Sequence, residues 1–172
     1  MANKYAKLMN DDGDLLTDTV EVDETYIDGV KRNAQGGKDK EVVVGMVERG
    51  GRAKVKHVES RQTHVILNTV KENVARDARL MTDEFRVYKK TPDLGYQHSS
   101  VKHGKRHYAR KGDIHTNTIE SYWGQIKRSL NGTYHVVSPK YLQSYLDEFS
   151  FRYNRRTSEL PMFYHLLNEV VG

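Results

Sequence analysis

Cysteine is absent from this 172-residue chain, which excludes disulfides and thiolate zinc sites and suits a reducing compartment. Also absent is any run of about 18 or more apolar residues, and residues 1–30 contain no apolar core of the signal-peptide kind. The expectation is a soluble, intracellular protein with no membrane partner. Proline is scarce: Pro92, Pro139 and Pro161 are the only three, and each stands where the pattern breaks. Residues 1–96 lack a charge surplus, with 17 basic and 17 acidic side chains. The whole net charge of +5 therefore falls on residues 97–172, which carry 11 Lys/Arg against 6 Asp/Glu. A basic C-terminal portion is what a polyanion selects, although many proteins of high pI bind none. The length is that of about one domain, enough to bury a real core.

Residues 1–18 include Asp11, Asp12, Gly13 and Asp14 without periodicity; they read as a tail or linker, with the folded domain running from 19 to 172. Thr19 to Ile27 is rich in β-branched and aromatic residues and reads as a strand, followed by a polar loop through Gly36-Gly37-Lys38. Strands from Glu41 to Glu48 and from Ala53 to Glu59 meet at Gly50-Gly51 in a hairpin turn, giving an antiparallel meander. Thr63 caps a helix to about Ala75, with Ile66, Leu67, Val70 and Val74 packed on the sheet. Ala78 to Asp83 forms a short strand, and Tyr96 to Val101 another after the break at Pro92 and Gly95. Ser138-Pro139 starts a helix to about Asn154 that turns Tyr141, Leu142, Tyr145, Leu146, Phe149 and Tyr153 inward and pairs Glu148 with Arg152 outside. Pro161 opens a last helix whose Phe163, Leu166, Leu167 and Val170 would close the core.

The segment from His115 to Leu130 carries the most information. On a helix, Ile119, Tyr122, Trp123, Ile126 and Leu130 form one apolar stripe, while Glu120, Gly124 and Lys127 follow a polar edge. Glu120 and Lys127 differ by only about 20° around the axis and stand roughly 10 Å apart along it. A carboxylate there can hold a metal ion and a lysine a neighbouring phosphate, with Gly124 leaving the backbone open to a close visitor. The structural alternative is a capping pair, with Asn117 as N-cap and Glu120 reaching back to its amide.

Asp23 is out of place in an otherwise apolar strand, where a carboxylate is costly unless something cationic compensates it. It either faces solvent, alternating with Val22, or belongs to the crowd of Glu21, Asp23 and Glu24, whose concentrated charge invites a divalent cation. Asp83 ends its strand, where carboxylates face the ligand crevice of an α/β sheet; the alternative is an N-cap for the turn that follows. Lys102, Lys105, Arg106, Arg110 and Lys111 read as a basic loop that touches phosphate. A zinc site from His98, His103 and His107 would lack an i, i+4 pair in a clear helical context. Arg152, Arg155 and Arg156 suit DNA and a helix C-terminus equally.

Three strands, a helix, a strand ending in Asp, a short strand and a helix bearing Glu is the element order of the ribonuclease H-like fold, an α/β fold with a mixed five-stranded sheet and helices on both faces. In that fold the first strand, the fourth strand and a late helix each deliver one carboxylate to a shared site, the places of Asp23, Asp83 and Glu120. Val-Glu-Val-Asp-Glu-Thr-Tyr-Ile (20–27), Met-Thr-Asp-Glu (81–84), Asn-Thr-Ile-Glu-Ser-Tyr-Trp-Gly-Gln-Ile-Lys-Arg (117–128) and Tyr-Leu-Asp-Glu-Phe-Ser-Phe-Arg-Tyr-Asn-Arg-Arg (145–156) together resemble the DDE transposases of bacterial insertion sequences with an ISXO-type catalytic domain. The resemblance runs from about Thr19 to Leu167. It implies Asp23, Asp83 and Glu120 as catalytic metal ligands, two Mg²⁺ (or Mn²⁺) ions per site, and Lys127, beside Arg128, as a DNA contact on the same helix. It also implies double-stranded DNA, transposon ends and target, as partner, at least a homodimer on that DNA, and a bacterial cytoplasmic, nucleoid-associated setting. Two ions about 3.5–4 Å apart would activate a water or a DNA 3′-hydroxyl and stabilise the leaving oxygen, cutting at the element's ends and joining the freed 3′-hydroxyl to target DNA. Asp23 would bridge the ions, with Asp83 and Glu120 holding one each.

Two departures qualify the resemblance. Members of the family usually place a DNA-binding segment, often a zinc ribbon, before the catalytic domain, and this chain has neither room nor cysteines for one; Asp28 also stands where glycine is expected. Two rival classes share the same features: a catalytically silent or domesticated DNA-binding remnant, and a structure-selective nuclease of the same fold.

Overall fold

The β-branched run that opens the domain forms β1 (Thr19–Asp28), in a computed structural model that describes residues 13–28, 40–101, 114–134 and 137–171. β2 (Lys40–Glu48) lies antiparallel to β1, and β3 (Ala53–Val58) antiparallel to β2. The β2–β3 connection turns on Gly50 at φ 71°, a left-handed conformation that favours glycine, and Glu48 N–H donates to the Arg52 carbonyl at 2.8 Å. Helix α1 (Thr63–Asn73) is the crossover that brings β4 (Arg79–Thr82) back parallel to β1, and β5 (Gln97–Ser100) lies parallel to β4. The sheet order is β3-β2-β1-β4-β5. Helices α2 (Asn117–Ser129), α3 (Pro139–Asn154) and α4 (Met162–Val171) follow. This is the mixed five-stranded α/β architecture that the element order predicts.

The two-residue period of β1 splits its side chains between two cores. Val20 and Val22 pack with Val44, Met46 and Leu80 against Ile66, Leu67 and Val70 of α1. Ile27 joins Val43, Val47 and Val55 beneath Ile119, Tyr122, Trp123 and Ile126 of α2 and Leu142 and Leu146 of α3. All five residues of the predicted α2 stripe are buried, Leu130 included. Each such apolar side chain contributes about 1.5–3 kcal/mol by leaving water, so α2 is fixed to the sheet chiefly by this face. Helix α3 shields the edge strand β3: Gln143 Nε2 donates to the Val55 carbonyl at 2.9 Å and its Oε1 accepts from His57 N, while Asn154 brackets Ala53 through both its amide atoms. These side chains satisfy backbone groups that an open edge would leave unpaired.

Several expectations need correction. Leu16, assigned to the tail, is fully buried beside α1, and its backbone bonds Asn73 and Ala75 at 2.9 and 2.8 Å. The N-cap of α1 is Gln62 rather than Thr63, which is the first helical residue. Helix α4 does not close the core: Phe163 is 64% and Tyr164 54% exposed, because α2 and α3 already fill that face of the sheet. Tyr141 is likewise exposed, while Phe151, off the expected stripe, is buried. Among the described residues, no helix is long and apolar enough to cross a membrane.

Candidate active site

β1 and β4 run side by side and in parallel, with Val22 paired to Thr82. The next residue on each strand path is an aspartate, so Asp23 and Asp83 stand together where β4 ends. Asp23 is half-buried, and its pKa is pushed up from 3.8 to about 6, first by loss of water, then by the charges of Glu24 and Asp83; a hydrogen bond from Trp123 opposes the rise. Among the described residues no salt bridge compensates Asp23. Asp23 is partly exposed but does not stand on an open solvent face, since Trp123 of the overlying helix (117–129) bonds its Oδ2. Asp83 accepts the Phe85 N–H at 2.8 Å through Oδ1, but it does not cap the turn that follows (Arg86–Lys90), whose N-cap is Phe85.

Helix α2 lies along β1 in matched register. Ile119 N–H donates to Glu21 at 3.0 Å, Trp123 Nε1 to Asp23 Oδ2 at 3.0 Å, and Lys127 Nζ to the Thr25 hydroxyl at 2.7 Å. Four residues of helix rise about 6.0 Å and two residues of strand about 6.6 Å, so the contacts recur at a common spacing. The close approach needs Gly45 on β2, which pairs with Asp23. A Cβ there would come within 2.6 Å of the Trp123 ring and 3.2 Å of Ile119. Trp123 thereby holds the helix that carries Glu120 to the strand that carries Asp23.

Glu120 is exposed on the first turn of α2, and its Oε1 accepts from the Thr116 hydroxyl at 3.0 Å. The expected capping pair does not form. Asn117 is already helical, the N-cap is Thr116, and the N-terminal amide of Ile119 goes to Glu21 instead. The donor chemistry of the two aspartates suits a hard divalent cation, which would offset the repulsion that raises Asp23. A group of three His, Asp or Glu side chains close enough to hold an ion is not formed among the described residues. The strand ends bring Asp23 and Asp83 together, whereas Glu120 is one turn from the Trp123–Asp23 bond and engaged with Thr116.

The crowd of three carboxylates on β1 resolves into separate sites. Glu21 faces α2 and pairs with Arg49. Glu24 faces the opposite way, taking the guanidinium of Arg61 and, at 2.7 Å, the hydroxyl of buried Tyr88. Burial and the charges of Glu24, Asp23 and Asp83 push the Tyr88 pKa well up, so this hydroxyl stays a donor beneath the acids. Arg61 also stacks over Phe85, 4.1 Å from the ring centre.

Lys127 is exposed and lines an open cleft of about 190 Å³ with Tyr26, Ile27, Leu130, Asn131 and Val137. Seven residues of helix separate it from Glu120, about 10 Å. Arg128 is exposed as well, and its guanidinium is the nearest group to a Cβ built on Gly124, at an unstrained 3.4 Å. Lys102, Lys105, Arg106, Arg110 and Lys111, together with His103 and His107, lie outside the described residues. His98 is half-buried, its pKa lowered by burial, and its Nε2 is 2.9 Å from the Thr82 hydroxyl. At the end of α3, Arg152 pairs with Glu148 at 2.6 Å, Arg155 covers the Phe151 ring, and Arg156 covers Tyr153 and reaches the Gly51 carbonyl.

Sequence reasoning did not single out Trp123 as a donor, Gly45 or Tyr88. The available signal for Gly45 was its place inside a strand, where a lone glycine marks close approach by another element. The chain is 26% identical over 110 residues to an uncharacterized transposase-like protein of Haemophilus influenzae, a match that covers 64% of this chain and 85% of that one. It is also similar in structure to a chain of the simian T-cell lymphotropic virus intasome in complex with PP2A regulatory subunit B56 gamma, at 13% identity and a TM-score of 0.46; 92% of this chain aligns, spanning about half (48%) of that one. Residues 15–154, which include all the acids described above, match the ISXO2-like transposase domain, and the chain belongs to that family.

Proposed function

We propose that this chain is the catalytic domain of an insertion-sequence transposase that cuts DNA at element ends and joins the freed 3′-hydroxyl to target DNA, with Asp23, Asp83 and Glu120 as its catalytic carboxylates. The observation that carries the reading is the pairing of Asp23 with Asp83 at adjacent strand ends, with no salt bridge to Asp23 among the described residues, and the bond from Trp123 that ties Asp23 to the helix of Glu120. Family membership supports the transposase class.

Asp23, Asp83 and Glu120 would hold Mg²⁺ or Mn²⁺, which supplies Lewis-acid activation of the attacking oxygen and stabilisation of the leaving one. The chain's own contribution is placement. Trp123 donates to Oδ2 of Asp23 and so orients that carboxylate. Thr116 holds Glu120 until its carboxylate turns to the aspartates. Lys127, two strand residues beyond Asp23 through its bond to Thr25, offers an ammonium to a phosphate of the same DNA strand, and Arg128 a second cation beside it. Lys102, Lys105, Arg106, Arg110 and Lys111 add to the positive charge of the chain, and double-stranded DNA is the partner that charge suits. Pairing two ends requires at least a homodimer during the reaction.

The test is a strand-transfer assay on pre-cleaved ends with Mg²⁺. Joined product that disappears in Asp23→Asn, with DNA binding retained, is the expected result. Binding without cutting or joining would favour a silent DNA-binding remnant, and cutting without joining a nuclease.

A further inference from the structure

Glu21 has no role in the chemistry proposed above, yet it is the most completely enclosed acid described in the fold, with no exposed surface. Its Oε2 accepts the Ile119 N–H at 3.0 Å; its Oε1 accepts from Arg49 Nε at 2.7 Å and from the Thr118 hydroxyl at 3.0 Å. Arg49 in turn donates through Nη2 to the His115 carbonyl at 2.7 Å and through its backbone amide to the Thr19 carbonyl at 3.0 Å. His115 Nδ1 lies 3.2 Å from Glu21 Oε1, outside hydrogen-bonding geometry.

The Ile119 amide is one of the first-turn donors that a helix cannot satisfy internally, and the positive end of the helix dipole favours an anion there. A helix usually finds that acceptor in its own N-cap side chain; here Thr116 makes no such bond. The acceptor comes from β1, 98 residues earlier in the chain. Glu21 precedes Asp23 by two residues on the same face of β1, about 6.6 Å along the strand, and Ile119 immediately precedes Glu120. One buried carboxylate thus links the backbone next to the third acid to the strand of the first, and Arg49 braces it from the β2–β3 turn.

We propose that Glu21 is a positioning residue: it fixes the N-terminus of α2 against β1 and so sets where Glu120 stands relative to Asp23. This rests on the reading of Asp23, Asp83 and Glu120 as catalytic. A salt bridge with a purely structural role would change stability and leave metal affinity in the folded protein unchanged. Trp123 is the chain's single tryptophan and is bonded to Asp23, so its emission reports on the α2–β1 contact directly.

The experiment compares the full chain with Glu21→Gln, following Trp123 emission during Mg²⁺ titration and strand-transfer kinetics at a temperature where circular dichroism shows both to be folded. The expected result is a half-saturating Mg²⁺ concentration and a kcat each worse by roughly 10–100-fold, with KM for DNA within about twofold of the parent. If Glu21→Gln does not fold, Glu21→Asp keeps the charge but is one methylene shorter, and the same loss is expected from it. A folded variant with unchanged Mg²⁺ response and kcat overturns the positioning role alone. A parent chain that shows neither Mg²⁺-dependent emission nor joining overturns the catalytic reading, and this role with it.

Discussion

Replacing Asp23 with Asn removes a charge that the fold holds against its own electrostatics. The carboxyl rises from 3.8 to about 6 on folding, through loss of water and the nearby charges of Glu24 and Asp83. A group whose pKa is raised in the folded state supports folding while it is protonated; that support is complete below pH 3.8 and is lost as pH climbs through about 6. Above that window, the difference at about 1.4 kcal/mol per tenfold change in proton affinity means that the ionised side chain destabilises the metal-free protein by about 3 kcal/mol. An asparagine keeps an acceptor for Trp123 Nε1–H, but its amide has a desolvation cost of its own, leaving a net gain of about 2 kcal/mol. For a chain of this size, that raises Tm by roughly 4–8 °C. Thermal melts followed by circular dichroism in chelator should show Asp23→Asn more stable than the parent at about pH 7.5 and equal to it at about pH 4. Added Mg²⁺ should raise the Tm of the parent and leave the variant unchanged. A variant no more stable than the parent at neutral pH would refute the account of Asp23 as a desolvated charge repelled by Glu24 and Asp83.

Gly45→Ala should destabilise the protein by about 1–3 kcal/mol, since the new methyl would lie 2.6 Å from the Trp123 ring; equilibrium denaturation measures the loss, and Trp123 emission should shift with it. Lys127→Ala should cost less than about 1 kcal/mol of stability, because the exposed ammonium makes one bond to Thr25. If Lys127 holds a phosphate, the same variant lowers the salt dependence of DNA affinity by about one in slope, readable from binding isotherms at several salt concentrations.

Regular periodicity made the architecture legible. The apolar stripe of α2 is buried as its spacing requires, β1, β2 and β3 fall where the β-branched runs lie, and Pro139 opens α3. The carboxylates were less fully legible. Period two already sends Glu21 and Asp23 to one face of β1 and Glu24 to the other, although the charge of Glu24 still raises Asp23. What sequence could not supply was the partner of each: Arg49, Arg61 and Tyr88 come from separate elements, and capping of α2 by Glu21 spans 98 residues. The register that sets Gly45 beside Asp23 is likewise a property of the paired strands. Helix α4 misled because an amphipathic pattern indicates an apolar face without saying whether the chain itself covers it.

Glu120 is the acid whose place in the site depends most on the proposed chemistry, since it is exposed and bonded to Thr116 rather than to the aspartates' surroundings. Glu120→Gln keeps the side chain's length and its capacity to accept the Thr116 hydroxyl, and should leave folding and DNA binding intact. Strand transfer from pre-cleaved ends in Mg²⁺ is therefore the most direct test. The account predicts that Glu120→Gln binds ends as the parent does and yields joined product only at background; joining at the parent's rate would contradict it.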